Sequence, residues 1–127
     1  MLIRNIKDMN YFRAGDNCLL CELFHPKNFQ SKDILLDYSI VHAIVPFGEK
    51  SVPHRLNKSS EVYYILSGEG LMHINSETNL LTSGCLVYIP PGSVQYIENM
   101  GESDLVFLAI VNPPWEESDE EVIRHLR

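Results

Sequence analysis

Residues Gly48 to Gly68 read GEKSVPHRLNKSSEVYYILSG. His54 follows a proline, and the carboxylate of Glu61 opens an apolar run that closes on Gly68. A second stretch, Gly84 to Asn99, reads GCLVYIPPGSVQYIEN and has the same grammar. In it, a glycine leads into a short apolar run, Pro90-Pro91-Gly92 turns the chain, and a second short run follows. Runs of this length bounded by glycine and proline read as strands, not helices. The two stretches read as two walls of one small β-barrel with a polar pocket inside.

The flanks extend the pattern. Arg13 to Asn17 is turn chemistry. Cys18 to Phe24 reads as a strand that stops before His25-Pro26, because proline cannot donate to a ladder. Lys27 to Asp33 is polar and reads as a loop, and Asp37 to Phe47 is β-rich. Glu61 to Leu66 and Leu71 to Ile74 flank the turn Ser67-Gly68-Glu69-Gly70. Asn75 to Asn79 reads as a hairpin loop. Leu86 to Ile89 and Val94 to Ile97 are further short strands. Leu105 to Val111 (LVFLAIV) is an unbroken apolar run, expected to be a strand buried on both faces. Pro113-Pro114-Trp115 ends the sheet. Ser118 and Glu121 then have capping-box spacing, which predicts a short C-terminal helix to Leu126. With no amphipathic helix before that tail, the pattern predicts an all-β sandwich or barrel forming a single domain over residues 1–127.

Bulk composition narrows the function classes. A chain of 127 residues can bury one core. Ten Lys and Arg against seventeen Asp and Glu give a net charge of −7, which argues against partners rich in phosphate, both nucleic acid and anionic membrane surfaces. No apolar run reaches the length of a membrane span, and the opening MLIRNIKDMNYF lacks the apolar core of a signal peptide. Three cysteines, an odd number, fit reduced thiols in a cytoplasm better than a disulfide framework. Cys18 and Cys21, three residues apart on a strand, point to opposite faces and read as packing residues.

The two opening stretches resemble the two sequence motifs of the cupins, small jelly-roll β-barrels. Gly48, His54, Glu61 and Gly68 match the first motif, with Leu56 where the family has a second histidine. Gly84, Pro90, Gly92 and Asn99 match the second, with Gln95 where the family has a third. The resemblance implies an all-β, cupin-like jelly-roll β-barrel. It also implies a homodimer, since small cupins often pair by exchanging or adding N-terminal strands. In a typical family member three histidines and the glutamate hold a divalent metal such as manganese, iron, nickel or zinc. Carried onto this chain, the implied metal ligands are His54, Glu61 and Gln95, one nitrogen and two oxygens.

Around that set, strand alternation puts residues 54 and 56 on one face, so Leu56 forms an apolar plug in the pocket wall. Tyr63 shares the parity of Glu61, and Ser51 lies in the loop before His54. Ser51, Leu56 and Tyr63 are therefore the candidate substrate-binding residues. Gln95 reads equally as a ligand or as a hydrogen-bonding partner of a backbone group or of Glu61, and a direct His54–Glu61 contact is the metal-free alternative. His42 and His73 read as histidines that pack or hydrogen-bond away from the pocket. Trp115 is expected to pack the tail onto the barrel or onto a partner chain. Three functions stay open. The first is a metal-binding cupin acting on a small polar molecule such as a sugar derivative or an organic acid. The second is a non-catalytic binding or sensing module with a degenerate, metal-free pocket. The third is a purely structural protein.

Overall fold

Wherever the sequence alternates in burial or runs short between glycine and proline, the chain is extended. The computed structural model describes residues 1–29 and 34–124. Its strands are β1 (Phe12–Arg13), β2 (Leu19–Phe24), β3 (Ser39–Val45), β4 (His54–Leu56), β5 (Ser60–Ser67), β6 (Gly70–Ile74), β7 (Glu77–Leu81), β8 (Leu86–Ile89), β9 (Gln95–Asn99), β10 (Leu105–Asn112) and β11 (Glu120–Val122). They form two antiparallel sheets, ordered β1-β2-β3-β10-β5-β8 and β11-β4-β9-β6-β7. This is the all-β jelly-roll barrel that the sequence predicts. Among the described residues no helix is long and apolar enough to cross a membrane.

Period-two alternation aims the core. In β10, Leu105, Phe107, Ala109 and Val111 are buried between the sheets, while Val106, Leu108 and Ile110 turn outward and are half-buried. The strand is central, hydrogen-bonded to β3 on one side and β5 on the other. Its uniform apolarity thus reflects a dry inner face and a partly covered outer one, in place of the expected burial on both. Phe107 packs against Tyr63 with ring centroids 4.4 Å apart. Ile65, Ile89 and Ile97 meet them from β5, β8 and β9. Each such side chain contributes about 1.5–3 kcal/mol on burial.

The turn between β5 and β6 requires glycine at position 68. Gly68 has φ +88°, and a Cβ there would lie 2.7 Å from the Asp104 carbonyl oxygen. The next hairpin is tighter than expected. Only Asn75 and Ser76 separate β6 from β7, and Glu77 onward is strand. Asn75 sits at φ +52° and ties the tip to the start of β9, its N–H donating to Val94 O and its Oδ1 accepting from Val94 N.

The tail differs from the predicted helix. Glu117–Asp119 is a single 3-10 turn, and β11 follows it, pairing with β4. Ser118 lies inside the turn, and the capping position falls on Glu116, whose side chain makes no capping bond. The competing partner is the open edge of β4. Asp119 accepts from the backbone N–H groups of Lys58 and Ser59 at 2.8 and 3.1 Å. Its own carbonyl accepts from Asn57 N at 3.0 Å, and Ile123 N donates to Pro53 O at 2.8 Å. An edge strand thereby gains a ladder partner, and these bonds outweigh a helix whose first turn is its only local support. The helix was expected to reach Leu126, and residues 125–127 lie outside the described residues. So do residues 30–33 of the loop expected over Lys27 to Asp33.

Candidate metal and ligand site

A cavity of about 120 Å³ opens between the sheets at the end where β1, β2, β4 and β11 meet. Ala43, Tyr63 and Phe107 form its buried floor, and the more exposed Phe12, Glu22, Trp115 and Glu120 mark its mouth. The sequence builds the floor from inward positions of β3, β5 and β10. The mouth comes from segments distant in sequence.

His54 opens β4, after Pro53. Its Nδ1 lies 2.9 Å from the Val52 carbonyl oxygen. A carbonyl only accepts, so Nδ1 carries the proton and Nε2 presents a lone pair in the neutral ring. That Nε2 stands 3.6 Å from Asp16 Oδ2. Asp16 is buried in the turn before β2, where its Oδ1 caps Cys18 N at 3.1 Å. Its carbonyl accepts from Val52 N at 2.7 Å, which fastens the turn to the segment leading into His54. Glu120 arrives on β11, directly opposite Leu56 in the β4–β11 register. One ligating atom from each of Asp16, His54 and Glu120 lies within 4.8 Å of the others. Burial raises the Glu120 pKa above the usual carboxylate range, and Asp16 adds to the rise. His54 and a hydrogen bond from Trp115 work the other way.

A second polar group crosses the core beside the first. Tyr63 OH donates to Gln95 Oε1 at 2.8 Å, and Gln95 Nε2 donates to Glu61 Oε1 at 2.8 Å. Tyr63 and Glu61 belong to β5 in one sheet and Gln95 to β9 in the other, so the chain of bonds staples the sheets together. Both ends of the Gln95 amide are committed to it. Burial pushes the Glu61 carboxyl up to about 7, with Asp16 and Glu120 reinforcing the rise and His54 and Gln95 opposing it. Burial and the same carboxylates raise Tyr63 well above its ordinary value.

Residues 41–111 match the family described as Cupin domain. The chain is also 36% identical over 108 residues to the uncharacterized protein MJ1618 of Methanocaldococcus jannaschii, covering 85% of this chain and 83% of that one. The chain belongs to the cupin family. A shorter match, 36% over 67 residues, links this cupin to an oxalate-binding protein of Thermotoga maritima, covering 53% of this chain and 55% of the relative. Among solved structures, a predicted oxalate decarboxylase from Thermotoga maritima superposes with TM-score 0.76 at 22% identity, over 88% of this chain and 99% of that one. The nucleoside dehydratase Pac13 of Streptomyces superposes with TM-score 0.75 at 20% identity, over 100% and 94%. At those identities the two structures speak for the fold alone.

The residues singled out from this cupin's sequence are brought together unevenly. His54, Leu56, Glu61 and Tyr63 all line the cavity. Gln95 stands behind Glu61 and outside the lining. Ser51 is buried but bonded to β9, its Oγ accepting from Ile97 N at 2.9 Å, and it does not reach the cavity wall. The carboxylate nearest His54 Nε2 is Asp16, and Glu61 is held by Gln95. His42 bonds Tyr11 OH at 2.8 Å on the outer face of β3, and His73 pairs with Glu98 at 2.8 Å, so both lie away from the cavity. Cys18 faces the cavity, whereas Cys21 packs against Met9 Sδ at 3.7 Å on the other side of β2. Trp115 packs the tail onto the barrel, its N–H donating to Ser39 Oγ at 3.0 Å.

Asp16 and Glu120 were missed. The first sits in a turn signal and the second in an acidic run, and neither local pattern indicates a pocket. A divalent metal suits this donor set. One imidazole nitrogen, its tautomer fixed by a backbone carbonyl, and two carboxylate oxygens converge at a cavity wall, with the third carboxylate, Glu61, beside them.

Proposed function

We propose that this cupin binds a divalent metal through His54, Asp16 and Glu120 and takes a small polar molecule into the cavity beside it. The observation that carries the reading is the convergence of those three ligating atoms within 4.8 Å at the cavity wall. Glu61, implied as a ligand by the family motif, stands next to the set as a fourth group. Gln95 orients Glu61, with one bond at each end of its amide. When bound, the metal supplies a Lewis acid that polarises an oxygen of the ligand. The chain's own contribution is positioning. Val52 fixes the His54 ring, the Asp16 turn is tied to the same segment, and Leu56, Ala43 and Phe107 keep that side of the pocket dry.

Metal analysis of protein purified without added metal tests this reading, followed by titration calorimetry with Mn²⁺ and Zn²⁺. The expected result is one site, weakened at least tenfold in each of His54→Ala, Asp16→Asn and Glu120→Gln. Folded protein that takes up neither ion would favour the alternative, a metal-free binding or sensing module built on Glu61, Gln95 and Tyr63.

A homodimer belongs to the same proposal, through the outer face of the six-stranded sheet. Leu108 of β10, Tyr64 of β5 and Leu86 of β8 lie side by side in register and turn outward, with Val62 and Tyr88 in the next row. Leu86 is 62% exposed and Tyr88 54%. The N-terminal segment folds over the β2–β3 end of this face through the Met9–Cys21 and Tyr11–His42 contacts, leaving the β10-β5-β8 end open. This makes face-to-face sheet packing the route to pairing, in place of strand exchange. The free thiols of Cys18, Cys21 and Cys85 support a reducing, cytoplasmic compartment.

A further inference from the structure

The polar atoms that face the cavity are nearly all acceptors. His54 is 2% exposed and its Nε2 has no hydrogen-bond partner among the described residues, the nearest oxygen being 3.6 Å away. Glu61 is 8% exposed. Its Oε1 accepts from Gln95, and Oε2 has no hydrogen-bond partner among the described residues. Asp16, Glu22 and Glu120 add carboxylates to the lining. The hydroxyl hydrogen of Tyr63 is already given to Gln95, whereas Ser39 Oγ accepts from the backbone N–H of Trp115 and keeps its own hydrogen, one donor among these acceptors. Among the described residues no Lys or Arg lines the cavity.

These facts select a ligand class. Water entering the cavity can satisfy these acceptors, and a ligand that displaces it without bringing donors leaves them unpaired at about 1–3 kcal/mol each, which favours a ligand with donors of its own. A dicarboxylate brings only acceptors and two negative charges. A divalent ion only partly offsets this, because the carboxyl groups of Asp16, Glu120 and Glu61 already line the same cavity. In a low-dielectric pocket a like charge a few ångströms away is strongly unfavourable. An organic ammonium would meet the acceptors but has no lone pair to offer the metal ion, whereas a hydroxyl serves both. The size is bounded too. A 150 Å³ cavity accommodates benzene, so a space of about 120 Å³ takes roughly four to six heavy atoms.

We infer that the ligand of this cavity is a small neutral hydroxyl compound, a polyol or ketose of two or three carbons, that donates hydroxyl hydrogens to Glu61 Oε2 and the neighbouring carboxylates, and that dicarboxylates are excluded. The inference rests on the metal reading above. It gives this chain a ligand class different from the one its Thermotoga maritima relative is named for.

The test uses the full chain loaded with Mn²⁺ at pH 8, with glycerol, ethylene glycol, dihydroxyacetone, oxalate, malonate and ethanolamine as probes. Trp115 is the chain's single tryptophan and lines the cavity, so its fluorescence reports occupancy alongside calorimetry. At least one neutral probe is expected to bind ten times more tightly than oxalate or malonate. Glu61→Gln should cost that probe about tenfold and improve oxalate. If that variant does not fold, the ranking of probes on the wild-type protein decides alone. Oxalate or malonate binding more tightly than every neutral probe overturns the ligand class and leaves the metal site standing, and so does a Mn²⁺-loaded protein that binds none of the six. Ethanolamine binding most tightly, and to metal-free protein, overturns both.

Discussion

Gln95 Nε2 lies 2.8 Å from Glu61 Oε1, so the carboxylate that the family motif assigns to a metal is held here by an amide from the opposite sheet. The amide's oxygen accepts from Tyr63 at the same distance, and all three side chains are buried. Removing the middle member strands both ends. Gln95→Leu leaves a buried hydroxyl and a buried carboxylate unpaired, at about 1–3 kcal/mol each. Tyr63→Phe orphans only the Gln95 oxygen and should cost about 1–2 kcal/mol. Because the groups form one chain, the two losses will not add in the double variant. Urea unfolding of the two single variants and the double checks this, and strict additivity would mean the bonds are energetically independent.

Glu61 also sets a pH dependence in metal-free protein. Its carboxyl is pushed from 4.5 up to about 7, chiefly by burial. Below pH 4.5 it is protonated folded and unfolded, and it contributes nothing to the slope. Between 4.5 and 7 the unfolded chain releases this proton and the folded chain keeps it, so stability falls as pH rises. Above 7 both are ionised and the full penalty is present, on the order of 3 kcal/mol at about 1.4 kcal/mol per tenfold change in proton affinity. Urea unfolding of wild type and Glu61→Gln at pH 5 and pH 8, both with chelator, should show the wild type losing ground to the variant at the higher pH. Saturating Mn²⁺ should reduce the difference, because a cation beside Glu61 favours its ionised form.

The parts of this site readable from sequence are those encoded at short range. Glycine spacing marks the turns, and strand parity puts His54 with Leu56 and Glu61 with Tyr63. Asp16 and Glu120 depend on long-range pairing. Asp16 reaches His54 because its turn is bonded to Val52, and Glu120 because β11 joins the edge of β4. The Ser118–Glu121 spacing fits a helix start, and nothing local signals that Asp119 will instead cap residues 58 and 59. Gln95 was legible as a pocket residue by position, but whether its amide bonds Glu61 or faces the cavity depends on a hydroxyl from the other sheet.

Asp119 bears on the proposed metal site without belonging to its ligand set. Its carboxylate accepts two backbone N–H groups after β4 and fixes the start of the strand that carries Glu120. Asp119→Ala should lower stability by about 2–4 kcal/mol, since two buried donors lose a charged acceptor. It should also weaken Mn²⁺ binding severalfold while His54 and Asp16 remain in place. Calorimetry on folded variant resolves the point, and unchanged affinity would mean that Glu120 is held by other contacts.

The open end of the outer sheet face predicts association. Leu86→Glu with Tyr88→Glu places two carboxylates on an edge strand whose outward side chains are now apolar. Sedimentation velocity should report a dimer for the wild type and a monomer for the double variant, with metal affinity unaffected. A wild-type protein that sediments as a monomer at tens of micromolar would remove the sheet face as an interface.

Leu56 offers the sharpest gain-of-function test. Its side chain lines the cavity, is 4% exposed, and stands opposite Glu120 in the β4–β11 register. Strand parity puts it on the face of His54, so Leu56→His adds a second imidazole beside the existing nitrogen and two carboxylates. Losing a buried leucine costs about 1.5–3 kcal/mol, and the metal-free variant should melt earlier than wild type. A metal that binds only the folded state returns stability in proportion to its affinity. The expected signature is a lower melting temperature with chelator, a larger upward shift on adding Zn²⁺ or Mn²⁺, and affinity at least tenfold tighter by calorimetry. Adding Gln95→His supplies a third imidazole but releases Glu61 from its amide partner, so that double variant separates the gain in ligands from the loss of the inter-sheet staple. A folded Leu56→His protein with unchanged affinity would mean that positions 54 and 56 do not address the same centre.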